Sequence, residues 1–265
     1  MKEEKEVNIP TMAGLAAENK QAEYLFWVGS AGCYDDRAKK ITRAFAKILI
    51  HCRVNFAVLG TEETDSGDVA RRAGNEFLFQ MQAMQNIETM KMYNVRKIIT
   101  CDPHDYNTIK NEYPDLGGNY EILHHTEFIY ELLLNKKLEI SKSPISQKIL
   151  TYHDPCYLAR GNDIVEQPRK ILLKLSEKFI EMRRNGKRSL CCGAGGAQMF
   201  KETEKGKTEI YMLRTKEALE LNPEIIVTAC PFCMTMLRDG INMHERQSEV
   251  QIYDIAELIV IALGI

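Results

Sequence analysis

The chain has 265 residues, 45% hydrophobic and 27% charged, with a formal net charge of −2 at pH 7. This is a globular composition, long enough for one large domain or two of about 120 residues, and a near-neutral charge without a long basic run excludes nucleic acid as an electrostatically driven partner. No segment reaches the roughly 18–20 apolar residues that span a bilayer, so the expected location is the cytoplasm, or the periphery of the inner membrane through a partner.

The first residues, MKEEKEVNIP, mix acids with lysines and carry no apolar core. They read as part of an N-terminal extension over 1–20 and not as a signal peptide. A strand-like LFWV follows, then Gly-Ser-Ala-Gly-Cys around Ser30 and Cys33, then a helix expected over Asp35–Ile50. That helix has apolar residues three and four apart and runs from acids to bases, which suits the helix dipole. Cys52, at its end, reads as a core cysteine. Next come FAVLG as a strand, TEETDSGDVARRAGNEF with Asp65, a helix, the strand KIIT, the turn CDPHD with Asp102 and Asp105, and YEIL as a strand. Together these form a first unit over 21–140. A polar stretch containing Pro144, from Asn135 to Ser146, is the expected linker. The second unit, over 147–265, runs through strands KILTYH, KFIEM, EIIVTA and VQIYDI, with helices between them, to a buried terminal helix over Ile255–Ile265 that carries Glu257. Such alternation is the pattern of parallel α/β structure, in which ligands gather beyond the carboxyl ends of the strands.

The two units are copies of one another. Cys156 and Cys191 are 35 residues apart, as are Ser30 and Asp65. Cys191 and Cys230 are 39 apart, against 37 for Asp65 and Asp102, and each series ends in a pair three residues apart around a proline, CPFC or DPHD. The fold class is therefore α/β, a tandem duplication of a parallel-sheet unit related by a pseudo-two-fold axis.

Eight cysteines in a chain expected to stay in a reducing compartment call for a reason other than disulfides. Five of them, Cys156, Cys191, Cys192, Cys230 and Cys233, fall in the last 110 residues. CPFC chelates one soft metal centre, a spacing shared with zinc sites and redox dithiols. The adjacent pair Cys191-Cys192 separates these readings. Neighbouring thiolates on extended backbone diverge, which suits a polynuclear iron–sulfur centre better than one zinc ion. Behind them Gly193, Gly195 and Gly196 remove side chains, so backbone amides reach inorganic sulfide. His153, three residues before Cys156, orients its turn and neighbours the ligands. His124 and His125 read as structural, Arg71 and Arg72 as a solvated surface pair, and Met234 and Met236 as core filling.

HDPCY, CCGAGG and ACPFCMTM closely resemble the cysteine-rich CCG domain. That domain occurs in heterodisulfide reductase, in iron–sulfur subunits of glycolate oxidase and lactate-utilisation systems, and in iron–sulfur oxidoreductases associated with electron-transfer flavoproteins. The resemblance covers nearly the whole chain and implies one 4Fe-4S cluster, cubane or non-cubane, on the five C-terminal cysteines. It also implies partners: a flavoprotein dehydrogenase or electron-transfer flavoprotein, and further iron–sulfur subunits. In the first unit the surroundings of the motif are retained, but Ser30, Asp65, Asp102 and Asp105 stand where cysteines are expected. Carboxylates hold such clusters poorly, so this converted site reads as empty and kept for structure. Its alternatives are a hard metal on Asp65, Asp102 and Asp105 with His104 nearby, or a shifted cluster using Cys33 and Cys101. The leading function is an electron-transfer component of an oxidoreductase complex. Thiol–disulfide reduction at the cluster and a zinc-stabilised non-redox scaffold are the alternatives.

Overall fold

The computed structural model describes residues 9–140, 143–202 and 206–265. The first element among the described residues is a short helix α1 (Met12–Ala17), capped by the Thr11 hydroxyl accepting from the Gly14 amide. A parallel bridge between Thr11 and Val58 ties this segment to the first sheet. The first unit then runs β1 (Tyr24–Trp27), α2 (Gly29–Tyr34), α3 (Ala38–His51), β2 (Phe56–Ala57), α4 (Asp68–Arg72), α5 (Glu76–Met92), β3 (Lys97–Thr100), α6 (Pro103–Asn111), β4 (Glu121–His124) and α7 (His125–Leu134). The second has β5 (Leu150–Tyr152), α8 (Cys156–Ala159), α9 (Glu166–Leu175), α10 (Ile210–Leu219), β6 (Ile225–Thr228), α11 (Pro231–Met243), β7 (Gln251–Asp254) and α12 (Ile255–Leu263).

Both sheets are parallel, in the orders β2-β1-β3-β4 and β5-β6-β7. The expected strand KFIEM is a single bridge from Phe179 to Leu150, on the edge where the first sheet has β2. The second unit therefore keeps the strand order of the first with its outer strand reduced to one pairing. The strands are short and apolar on both faces, as in β6, where all four residues are buried, because helices cover both sides.

The duplication extends to the caps. In α7 the His124 side chain and Glu127 form a capping box, and in α12 Asp254 and Glu257 do the same. These two terminal helices cross over: α7 packs on α9 of the second unit, and α12 packs on α3 of the first. On α3 the buried face is Ile41, Phe45, Ile48 and Leu49, the stripe its helical period presents. One continuous core accordingly contains Phe26 and Phe45 of one unit together with Ile171 and Ile259 of the other. At its edge Arg37 grips the Glu257 carboxylate with two hydrogen bonds of 2.7 and 2.8 Å. His125 Nε2 lies 3.0 Å from Asp254, both fully buried. Among the described residues no helix is long and apolar enough to cross a membrane.

Candidate metal centre

The five cysteines arrive from three segments, each beyond the carboxyl end of a strand or on the loop facing it. Cys156 opens α8 after β5, Cys230 is the N-cap residue of α11 after β6 with Cys233 in its first turn, and Cys191-Cys192 lie on the loop between α9 and α10. Cys192, Cys230 and Cys233 are buried, while Cys156 and Cys191 are partly exposed. Their side chains neighbour one another in the order Cys156, Cys191, Cys192, Cys233, Cys230. Cys233 and Cys192 are 3.3 Å apart, sulfur to sulfur.

Protons are shared unevenly along this run. Hydrogen bonds from Cys156 and Cys192 hold the Cys191 thiol well below its ordinary range, assisted by the Gly193 amide. Burial raises Cys230, but hydrogen bonds from Cys233 and His104 outweigh it and bring that thiol down to about 5. Cys156 is pushed up, chiefly by its bond to Cys191. Two thiolates flanked by three thiols are thus already favoured by the fold, and thiolates are the metal-binding form.

The donor set fits a polynuclear centre better than a single ion. Among the described residues, potential ligands gather within 4.8 Å of one another in two groups, His153–Cys192–Cys233 and Asp102–His104–Cys230. Neither contains more than two sulfurs. A tetrahedral zinc ion with Zn–S of about 2.3 Å needs four donors about 3.8 Å apart, which this arc does not supply. An inorganic core offering several metal atoms matches sulfurs spread along an arc.

The surroundings fit as well. The Gly193 amide donates to Cys191 Sγ at 3.3 Å from a backbone at φ +94°, a conformation natural to glycine. Arg214 Nε donates to His153 Nδ1 at 2.9 Å. That bond fixes the tautomer, so His153 Nε2 carries the proton. This N–H is buried without a hydrogen-bond partner, and the ring lies beside Cys192 and Cys233. Burial keeps the ring neutral, its pKa well below the usual value. A neutral N–H donor among sulfurs is the neighbour an iron–sulfur core requires. Gly195 faces the ring of His104, and Gly196 sits at φ +69°. Beside Cys191 a groove of about 610 Å³ opens to solvent, lined by Leu190, Met199, Ile210, Tyr211 and Met236 among others. Met236 therefore lines a groove, while Met234 is buried core.

Several residues that sequence reasoning passed over hold the site in shape. Arg169 clamps the Asp154 carboxylate at 2.7 and 2.9 Å, and the same carboxylate accepts from the Gly186 amide. The Ser189 hydroxyl donates to the Asp154 carbonyl, joining the HDPC turn to the loop that carries Cys191. Arg214, wholly buried, also binds Glu217. An acid just before Cys156 and an arginine on a neighbouring helix were the available signals.

The converted site is assembled too. The Ser30 hydroxyl donates to Asp65 at 2.6 Å and the Ser66 hydroxyl to Asp105 at 2.5 Å. Asp102 caps α6 by accepting from the His104 amide at 2.8 Å. The hard-metal alternative gains nothing from this arrangement: Asp65, Asp102 and Asp105 do not bring three donors within 4.8 Å among the described residues. The shifted-cluster alternative fails similarly, because Cys33 is exposed, Cys101 is buried, and neither joins a ligand group there. His104 lines the converted site beside Asp102 and also reaches Cys230 of the second unit. Arg71 and Arg72 are not a solvated pair: both bind Glu112, and Arg72 also binds Asp68 at 3.0 Å. They are held over α4 by acids, of which Glu112 lies far off in sequence.

The cysteine-rich domain, CCG, matches residues 27–110 and 150–238. The chain is 47% identical over 255 residues to the probable iron–sulfur-binding oxidoreductase FadF of Bacillus subtilis, covering 96% of this chain and 36% of that protein. It is 42% identical to the EtfAB:quinone oxidoreductase of Syntrophomonas wolfei, covering 92% and 35%. It is 31% identical to one of the subunits of the dihydromethanophenazine:CoB–CoM heterodisulfide reductase of Methanosarcina barkeri, covering 92% and 60%. The chain thus spans between about a third and three fifths of these relatives' lengths. With two matched copies, one keeping five cysteines on a common arc and one converted, the chain belongs to the cysteine-rich CCG domain family.

Proposed function

We propose that this chain is the iron–sulfur electron-transfer part of an oxidoreductase, holding a single 4Fe-4S cluster through Cys156, Cys191, Cys192, Cys230 and Cys233. The observation that carries the reading is the unbroken arc of five sulfurs, too extended for one zinc ion. When bound, such a cluster supplies one-electron redox chemistry. The chain's own residues set its surroundings: the Gly193 amide donates to Cys191 Sγ, the unpartnered His153 N–H is available to a bound core, and Phe232, Met199 and Met236 pack around the buried cysteines. No dinucleotide or flavin fingerprint is present in the sequence, so donor and acceptor belong to partners. The name EtfAB:quinone oxidoreductase supports an electron-transfer flavoprotein as donor, and the heterodisulfide reductase subunit among the relatives supports a place in a multisubunit complex.

The groove beside Cys191 favours a second reading, thiol–disulfide reduction at the exposed edge of the centre. If that reading holds, adding a thiol or disulfide to the oxidised protein changes the cluster's spectrum; an unchanged spectrum leaves simple relay. The primary test is quantification of iron, zinc and acid-labile sulfide in protein made and kept without oxygen. About four iron and four sulfide per chain are expected for such a cluster, and Cys192→Ser should lose most of both. One zinc with no sulfide, or a serine variant with full iron, would sink the assignment.

A further inference from the structure

The converted unit reaches into the metal centre of its neighbour. We propose that His104, backed by Asp68, is a positioning residue for the C-terminal centre: it holds the three cysteine-bearing segments against one ring and directs a ring N–H at the Cys230 sulfur. The inference rests on the cluster reading above.

His104 belongs to α6 of the first unit, yet its surroundings are the second unit's motif. Its ring centroid lies 4.3 Å from that of Tyr157, the residue after Cys156. It meets Phe232, between Cys230 and Cys233, edge-on at 4.9 Å. A Cβ on Gly195, three residues after Cys192, would lie 3.6 Å from its Cε1, so the imidazole abuts that backbone. One side chain therefore touches all three segments that supply sulfur. A ring nitrogen also lies within 4.8 Å of the Cys230 sulfur and of the Asp102 carboxylate.

The ring is held from behind. Its Nδ1 lies 3.0 Å from Asp68, a buried carboxylate that also accepts from Arg72 at 3.0 Å. Burial raises the Asp68 pKa, but His104 and Arg72 outweigh burial and keep it below the usual carboxylate range. With its Nδ1 toward Asp68, the ring stands between that carboxylate and the Cys230 sulfur. A hydrogen bond to a ligand sulfur draws electron density from it, which favours the reduced state of an iron–sulfur centre and raises its potential. The Asp68–His104 pair is thus a second-unit function carried by first-unit residues. It gives the converted copy a role that its own lost ligands do not.

The test uses the full chain purified without oxygen, with iron and sulfide content and the midpoint potential measured by redox titration followed by electron paramagnetic resonance. His104→Leu should keep its iron but shift to lower potential, so that at the parent's midpoint the reduced-to-oxidised ratio falls about tenfold, about 59 mV for one electron. His104→Gln, which keeps an N–H donor, should recover part of the shift. Asp68→Asn leaves the ring in place and removes the charge behind it; it should move the potential the same way and by less. Ser30→Ala, in the converted site, where the hydroxyl bonds Asp65 and not His104, should leave the potential at the parent's value. Parent-like potentials in both His104→Leu and Asp68→Asn would reduce the ring to packing and overturn the proposal. If His104→Leu does not retain iron, Asp68→Asn alone decides: a parent-like potential overturns it. A Ser30→Ala shift as large as that of Asp68→Asn would equally overturn it. A parent protein without iron or sulfide would instead overturn the cluster assignment, a separate failure.

Discussion

At the converted site the side chains that stand in place of thiols divide the work of a polar core between them. Ser30 and Asp65 satisfy each other, and Asp102 serves as a helix cap. Asp105 is less well provided for: its Oδ2 is buried without a partner, and a Cβ on Gly29 would fall 2.2 Å from it. Burial pushes the Asp105 carboxyl well above its ordinary range, with Asp102 adding to it, and burial brings Asp102 up to about 7 and Glu63 up to about 7. Carboxyls raised in this way hold protons in the folded chain that the unfolded chain has released. Their contribution is fully present below the unfolded pKa near 4 and is lost as pH rises through the folded values near 7. In metal-chelated buffer the protein should therefore be less stable to urea at pH 8 than at pH 5. Asp105→Asn should recover about 1–3 kcal/mol at pH 8 while changing little at pH 5. A variant weaker than its parent at pH 8 alone would show that the charge is wanted there, as a bound cation would want it. The sequence made these four positions visible through the repeat. It did not make the reach of His104 visible, because the signal sits beside Asp102 and the partner sulfur lies 126 positions away, a pairing that only the fold creates.

Single elements carry the next constraint. Helix α11 delivers Cys230 and Cys233, and it seats against α10 through Gly240, where a Cβ would lie 2.1 Å from the Thr215 hydroxyl and 2.7 Å from Thr215 Cβ. Gly240→Ala gains helix propensity of up to about 1 kcal/mol. Overpacking costs about 1–3 kcal/mol, and because Cβ of Thr215 cannot rotate away the clash prevails. The expected outcome is a lower urea midpoint with an unchanged slope; a higher midpoint would show that α10 has room to yield. Elements were the most legible level in the sequence. Apolar runs such as IIVT and KIIT became buried parallel strands, and α3 begins three residues later than its pattern suggested because Asp35 accepts from the Ala38 amide and starts the helix there. KFIEM falls short of a strand: β-branched and aromatic content marks a segment that fits a sheet, but pairing length depends on neighbours, and only Phe179 finds one.

Over the whole molecule, periodicity told which face of α3 and α12 is buried but not what buries it. The answer, an exchange of terminal helices between units, makes the two sheets one cooperative body. The sole tryptophan, Trp27, reports on the first unit, and cluster absorption would report on the second. Their urea transitions should coincide, the signature of a single all-or-none step. Arg37→Met removes the clamp on Glu257, which both units share, and should lower both midpoints together by the cost of leaving a partly buried carboxylate unpaired, about 3 kcal/mol. Separate transitions in the parent would dissolve the picture of one body.

The crossed terminal helices also bear on how such a protein ages. Each copy is roofed by a helix encoded in the other, so neither half can be pruned once its chemistry lapses without laying the survivor's interior open to water. Between the copies the thiol positions differ, while the strand order and the terminal capping box are shared. What each copy lends the other is a surface to close against.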